Sequence, residues 1–343
     1  MSEFRRNLLT AMNKAEPPIT KDYLTIVALE DGLTAKLSIN VCEYCVDGDG
    51  NWKSLPADTE TESINNGQTL SFRGNLTPTP SAGIGTFTVS KYFNLKGNCM
   101  SLLFGDEGKV HFSLEGKNYA FYNLFKGNDK LINAKEFVLP AMTITYACYY
   151  SMFNGCENLI TTPKLPAIKL AYSCYSRMFQ GCFSLAATPK LPANTLADYC
   201  YYYMFADCKN LQTISELPAM TLAIACYGYM FEGCISLVNA PELTVTTIAN
   251  SCCSNMFNGC KNLITAPELP ATILLDYCYY AMFNGCSKLN YIKMLATDIN
   301  ATACILNWVN GVASNGTFIK NKDATWNVRG ASGIPNGWEV VAE

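Results

Sequence analysis

Residues 191–216 read LPANTLADYCYYYMFADCKNLQTISE, and this stretch decides the fold because the chain repeats it. Copies taken between Leu139 and about Thr317 align without insertion or deletion. Each of the six complete copies contains a Met-Phe pair, a later leucine and two cysteines eight residues apart. The cysteine columns are Cys148, Cys174, Cys200, Cys226, Cys252, Cys278 and Cys304, and Cys156, Cys182, Cys208, Cys234, Cys260 and Cys286. This period predicts a stacked array in which each copy buries its apolar face on its neighbours.

One half of each copy has apolar residues four apart. In the quoted copy these are Leu196, Cys200 and Met204, with Phe205 beside them. This spacing predicts a short helix of two or three turns. A glycine, or Asp207 in the quoted copy, then follows, and we expect it to be left-handed because glycine adopts that conformation without a Cβ clash.

The other half of each copy, residues 211–217 in the quoted one, predicts a short strand. Proline follows it in most copies, and a residue without a backbone donor suits the end of a strand. We therefore expect strand, corner, short helix and corner, with the strands stacked in parallel. The predicted fold class is an α/β repeat solenoid, similar to a leucine-rich repeat, with an N-terminal antiparallel β domain.

A seven-residue phrase resembles a known repeat family. Phe257-Asn258-Gly259-Cys260-Lys261-Asn262-Leu263 and the matching phrase at 153–159 are similar to the BspA-like leucine-rich repeat. In that repeat an aromatic residue, Gly-Cys, a polar residue and leucine precede a short strand ending at proline. The resemblance covers residues 139–307 and implies a repeat fold. It implies adhesion or protein binding, as in surface proteins of gut bacteria and in their phages.

The chain divides into five expected segments. Residues 1–18 predict an amphipathic helix, 19–91 a small antiparallel β domain, 92–138 degenerate repeats, 139–307 the solenoid, and 308–343 a C-terminal β cap. The first segment either docks on its own domain or serves assembly, which makes a homo-oligomer through residues 1–16 one expectation.

Composition narrows the function classes. The net charge is −3 and there is no basic block, which argues against nucleic-acid binding. No apolar run reaches the roughly 18 residues that a transmembrane helix requires, so membrane insertion is not expected. The apolar run after Arg5-Arg6 is too short for a signal peptide. We expect a virion-associated or cytoplasmic location.

Catalytic and metal motifs are weak. The lone histidine is His111, and no phosphate-binding or nucleophile motif is present. Cys42 and Cys45 form a CxxC pair without a second pair, so a plain strand is the favoured interpretation. Residues 47–51 begin like a calcium loop but lack its glycine and glutamate, so a hairpin turn is favoured. We expect no enzyme activity, no cofactor and no metal.

Seventeen cysteines leave three interpretations open. Members of one column lie within disulfide reach, yet their side chains point the same way, into the core. We favour buried free thiols, which suit a tightly stacked interior, over disulfides and over metal ligands. Free thiols fit a reducing setting.

Two columns are candidate binding surfaces. The strand face comprises Thr161, Lys164, Lys190, Thr213, Glu216, Asn239, Glu242, Thr265 and Glu268. Its charge reverses along the array, which indicates either a solvated face or a bipolar docking face. The second column comprises Tyr149, Tyr175, Tyr201, Tyr227 and Tyr279. Tyrosine suits protein or sugar recognition, but it also suits packing between copies.

Two functions follow as hypotheses. The first is a non-enzymatic recognition or adhesion module that presents its repeats to a protein or glycan, for example as a bacteriophage fibre or receptor-binding component. The alternative is an intracellular scaffold or inhibitor that binds a cytoplasmic partner. Assembly through residues 1–16 would favour the first, and a monomer would favour the second.

Overall fold

A computed structural model describes residues 22–343; the helix expected within residues 1–18 lies outside the described residues. The strands are β1 Leu24–Ala28, β2 Ala35–Leu37, β3 Cys42–Val46, β4 Lys53–Leu55, β5 Thr69–Arg73, β6 Phe87–Val89, β7 Phe93–Asn98, β8 Leu131–Val138, β9 Tyr291–Met294, β10 Thr317–Lys320 and β11 Glu339–Ala342. The helical elements of this range are α1, Ser101–Phe104, and a 3-10 helix, Gly105–Val110.

The first large unit is a six-stranded sheet in the order β4-β3-β5-β1-β7-β8. Its neighbours are antiparallel as far as β7, whereas β7 and β8 are parallel. The strands expected near residues 23–27 and 69–73 are present as β1 and β5. The sheet continues past residue 91, because β7 and β8 lie in residues 92–138, the segment that was predicted to hold degenerate repeats. A separate pair, β2 and β6, packs antiparallel.

The predicted α/β repeat solenoid is wrong. Residues 139–307 contain no α-helix, and β9 is the one strand of this range. The strands of residues 22–343 form sheets of six, three and two strands rather than one sheet through the repeats. Where a helix was expected, each copy instead follows a series of tight turns.

Left-handed residues recur every fourth position in these turns. In the quoted copy they are Tyr199, Tyr203 and Asp207, with φ of 57°, 56° and 59°. The same three positions are left-handed in the other copies, at Ala147, Ser151 and Gly155; Ser173, Arg177 and Gly181; Ala225, Tyr229 and Gly233; Ser251, Asn255 and Gly259; Tyr277, Ala281 and Gly285; and Ala303, Asn307 and Gly311. The left-handed glycines expected from sequence are therefore confirmed, although they end a turn series and not a helix.

Backbone amides alternate between two kinds of acceptor. The N–H of Cys200 donates to the carbonyl of Ala197, three residues earlier, at 3.2 Å. The next N–H, that of Tyr201, donates to the carbonyl of Cys226 in the following copy, at 3.1 Å. An α-helix would keep all these bonds within one segment, from each N–H to the carbonyl four residues earlier. Here every second amide joins neighbouring copies, which holds them in register.

The spacing of four residues explains why a helix was expected. An α-helix has 3.6 residues per turn, so positions four apart drift slowly around its axis. In the turn series the repeat is four, and Cys200, Met204 and Cys208 all remain fully buried. Over two or three turns, the two periods place nearly the same residues inside.

Proline explains why the other half of each copy rarely forms a strand. Three copies carry two prolines three residues apart, such as Pro163 and Pro166, two further copies carry one of the two, and proline cannot donate to a ladder. Parallel pairing there is reduced to isolated bridges, for example between Asn239 and Thr265. In the copy that contains β9, Lys293 and Ala296 replace the prolines. That copy forms a continuous strand, paired in parallel with β10 and through β10 with β11.

Stacked aromatic rings fill the interior of the array. Phe153 and Phe179 lie 5.5 Å apart, measured between ring centroids, with an interplanar angle of 1°. This phenylalanine column runs from Phe125 to Phe283, where Trp308 follows at 6.0 Å. Trp308 is fully buried, and its indole N–H donates to the Gly333 carbonyl, so the C-terminal segment closes the column.

No helix of residues 22–343 combines the length and the apolar character needed to cross a membrane.

The left-handed positions make a stability prediction. None of the 21 left-handed positions from Ala147 to Gly311 holds a β-branched residue, since Val, Ile and Thr are strongly disfavoured there. We expect Ser251→Val to lower the free energy of unfolding by about 2 kcal/mol. The neighbouring residue Asn250 is exposed and is not left-handed. We therefore expect Asn250→Val to change the free energy of unfolding by less than about 0.5 kcal/mol. Denaturant unfolding of both variants is the measurement, and equal losses would contradict the turn geometry.

Candidate binding groove

The predicted strand face lies on the surface of the array. Thr161 is half-buried, and the other eight residues of that face are exposed. Bridges pair Thr161 with Asn133, and Ala187 with Thr213. Each copy therefore places its outward side chains beside those of the next copy, and the structure brings the nine predicted residues together in neighbouring columns.

A groove runs along this face across successive copies. Its first section has a volume of about 690 Å³, and two further sections of about 420 and 470 Å³ continue it. Lys190 and Pro192 line both the first and second sections, and Glu216 and Pro218 line both the second and third. We call this continuous feature the proline groove.

Apolar side chains form much of the groove wall. Its prolines are Pro163, Pro166, Pro189, Pro192, Pro218 and Pro241. Met142, Leu165 and Ile168 add apolar surface at the first section. Sequence reasoning missed this wall, because the proline column was considered only as a strand terminator. The signal was present in the regular spacing of the prolines.

Five charged side chains line the groove in a fixed order. Lys135, Lys164 and Lys190 come first, and Glu216 and Glu242 follow. All five side chains are exposed, and within residues 22–343 none of them has an ion-pair or hydrogen-bond partner.

The remaining predicted residues of the strand face stand outside this lining. The carboxylate of Glu268 lies 3.5 Å from the Lys293 ammonium and is partly neutralised by it. Thr161, Thr213, Asn239 and Thr265 lie beside the groove rather than in its wall. Four of the nine predicted residues therefore line the groove, together with Lys135, which was not among those predicted.

The candidate tyrosine column lies in the interior. Tyr149, Tyr175, Tyr201, Tyr227 and Tyr279 are at most 2% exposed. The rings of Tyr149 and Tyr175 stack 5.5 Å apart, and burial raises the pKa of both hydroxyls well above its usual range. A ligand cannot reach these rings without opening the array, so the column serves packing between copies.

Other tyrosines, which sequence reasoning did not single out, do reach the surface. Tyr146 and Tyr172 are 40% and 42% exposed, and their rings stack 5.2 Å apart at an interplanar angle of 1°. Each ring covers a face of its neighbour. A sugar that stacks on an aromatic face would therefore compete with the ladder itself.

The cysteines are interior residues. All seventeen lie within the described range, and all are buried and free. In the second column each thiol donates to a phenylalanine carbonyl of the preceding copy, as from Cys182 to Phe153 at 3.2 Å. The other bonds of this set join Cys156 to Phe125, Cys208 to Phe179, Cys234 to Phe205, Cys260 to Phe231 and Cys286 to Phe257. The column thus contributes hydrogen bonds between copies.

The motifs of the N-terminal sheet are structural. Cys42 and Cys45 lie in β3, as the strand interpretation predicted, and burial raises the pKa of Cys42 to about 12. Residues 47–51 join the antiparallel strands β3 and β4, so the predicted hairpin turn is confirmed. His111 stacks on Phe104 at 3.9 Å. Across residues 22–343, no group of three or more His, Cys, Asp or Glu side chains is placed to hold a metal ion.

Comparisons of the chain with models of protein families, with curated proteins and with solved structures give no match. The similarity to BspA-like repeats therefore rests on the motif residues alone.

Because the thiols are buried, we predict that the folded chain loses stability at alkaline pH. Burial raises the pKa of Cys174 and Cys286 to about 12, whereas an unfolded thiol has a pKa of about 8.5. Above pH 8.5 the unfolded chain loses protons that the folded chain keeps, so the free energy of unfolding falls by about 1.4 kcal/mol per pH unit for each such thiol.

Circular dichroism and thiol titration under reducing conditions would test this prediction. We expect the array to unfold cooperatively between about pH 9 and pH 11, and thiol reagents to react only once it unfolds. At pH 7 the native thiols should stay unreactive until denaturant is added. Rapid reaction of several thiols in the native chain at pH 7 would show that the columns are accessible.

Proposed function

We propose that this protein is a non-enzymatic recognition module that binds an extended ligand along the proline groove. The observation that carries the proposal is the groove itself, which crosses several copies and combines apolar walls with five exposed charged side chains. Binding sites typically combine apolar surface with a few polar groups that orient the ligand. The proline groove has both.

The chemistry of the groove supports binding over catalysis. Its charged groups are lysines and glutamates distributed along its length rather than converging on one point. Ser215 donates its hydroxyl hydrogen to the Pro189 carbonyl, so that hydrogen is directed at a backbone acceptor and not at a base. These groups can orient and neutralise a ligand.

The wider setting is part of the same proposal. A recognition module of this kind fits an adhesion or receptor-binding component, including a bacteriophage fibre, and membership of the BspA-like repeats would agree with it. The alternative of an intracellular scaffold uses the same groove for a cytoplasmic partner. Both settings need a ligand-binding face, so the groove is the feature to test first.

A displayed library of random peptides would test the proposal. The full chain is immobilised and enriched peptides are then measured against Lys164→Glu/Lys190→Glu. We expect these peptides to bind the groove variant at least about tenfold more weakly, a loss of about 1.4 kcal/mol. The matched control is Lys261→Glu/Lys288→Glu, which makes the same charge change at exposed lysines outside the groove.

The control should bind the enriched peptides as the wild type does. If neither this library nor an array of glycans yields a ligand, or if the ligands bind both variants alike, the groove is not a recognition site. Unchanged unfolding curves for both variants would show that the comparison reports binding and not folding.

A further inference from the structure

We propose that the ligand of the proline groove is an extended polypeptide segment of mixed charge, with one acidic half and one basic half. This inference rests on the proposed function and adds the chemical class of the partner. The acidic half lies against Lys135, Lys164 and Lys190, and the basic half lies against Glu216 and Glu242.

Charge order is the first argument. The five side chains lie along one groove with the sign changing once, between Lys190 and Glu216. Complementary potentials steer association and suppress wrong partners, since like charges brought together cost free energy. A ligand of a single charge would be attracted at one half of the groove and repelled at the other.

The single sign change favours polypeptide over glycan. Most charged glycans carry carboxylate, sulfate or phosphate groups, which the glutamate half repels. A polypeptide can carry both signs in one segment and can place apolar side chains between them. Those side chains have a matching surface in the prolines, Met142 and Ile168.

The direction and spacing of the groove suit an extended chain. Parallel bridges, such as that between Val138 and Lys164, set successive copies about 4.8 Å apart. Alternate residues of an extended peptide recur about every 6.7 Å on one side. Flexible lysine side chains span this difference. Charged residues at alternate positions can therefore reach the groove charges, while the residues between them point elsewhere.

Each contact between the ligand and a solvent-exposed lysine or glutamate of the groove is weak on its own. An exposed ion pair contributes about 0.2–1 kcal/mol and is screened by salt. Four or five such contacts over apolar walls give affinity that depends on the whole pattern. Discrimination between charge patterns is therefore a sharper test than affinity itself.

Three synthetic peptides of equal length and equal apolar content would test the inference by fluorescence anisotropy. One has aspartates in its first half and lysines in its second, one has only aspartates and one has only lysines as charged residues. We expect the bipolar peptide to bind the wild-type chain about tenfold more tightly than either of the others. High salt should remove most of this difference.

Two charge variants sharpen the test. Lys164→Glu/Lys190→Glu makes the groove largely acidic, so preference should pass to the lysine peptide. Lys135→Glu/Lys164→Glu/Lys190→Glu/Glu216→Lys/Glu242→Lys reverses the order of all five charges, and the bipolar peptide should still bind because it can lie in the opposite direction. A photo-crosslinker at the aspartate end should then label the opposite end of the groove.

Several outcomes would overturn the inference. If the aspartate or lysine peptide binds the wild-type chain as tightly as the bipolar one, charge order does not select the ligand. If the chain is a dimer in light scattering that Lys164→Glu/Lys190→Glu dissociates, a second copy occupies the groove. If the random library yields groove-dependent ligands of a single charge, the recognition function stands and the bipolar ligand is wrong.

Discussion

The structure depends on a constraint at the backbone: every second amide in the turn series must donate to the neighbouring copy. This is possible only if the chain reverses its local direction at short intervals, and a left-handed residue at every fourth position does so. Side chains of the same type then stand above one another in adjacent copies. The phenylalanine ladder, the thiol-to-carbonyl bonds and the alignment of the groove all follow from that register.

Interior and surface columns differ in how much their residues can vary from copy to copy. A buried column such as Cys156 to Cys286 meets the same neighbours in each copy, so the same residue fits each time. An outward column meets solvent and can change from copy to copy. Lysine therefore gives way to glutamate between Lys190 and Glu216 while the core beneath continues unchanged, and the charge of the groove stays independent of the fold.

Sequence reasoning found the repeat, the buried columns, the left-handed glycines and the outward position of Lys164 and Glu242. It failed at the helix because apolar residues four apart satisfy a helix and a turn series almost equally over a short segment. The predicted strands are mostly absent because proline lacks the N–H that a ladder hydrogen bond requires. The sequence alone did not show which backbone N–H groups the ladder would use. The groove wall was missed for the same reason, since its depth arises from neighbouring copies together.

The uniform junction between copies also bears on how such a chain can change over generations. Gaining or losing one complete copy leaves every remaining junction intact, because the new neighbours offer the same carbonyls to the same amides. A partial insertion within the turn series would place a side chain such as valine or leucine where the backbone must be left-handed. Gain or loss of complete copies can therefore lengthen or shorten the groove, and each copy gained or lost adds or removes one charged side chain along it.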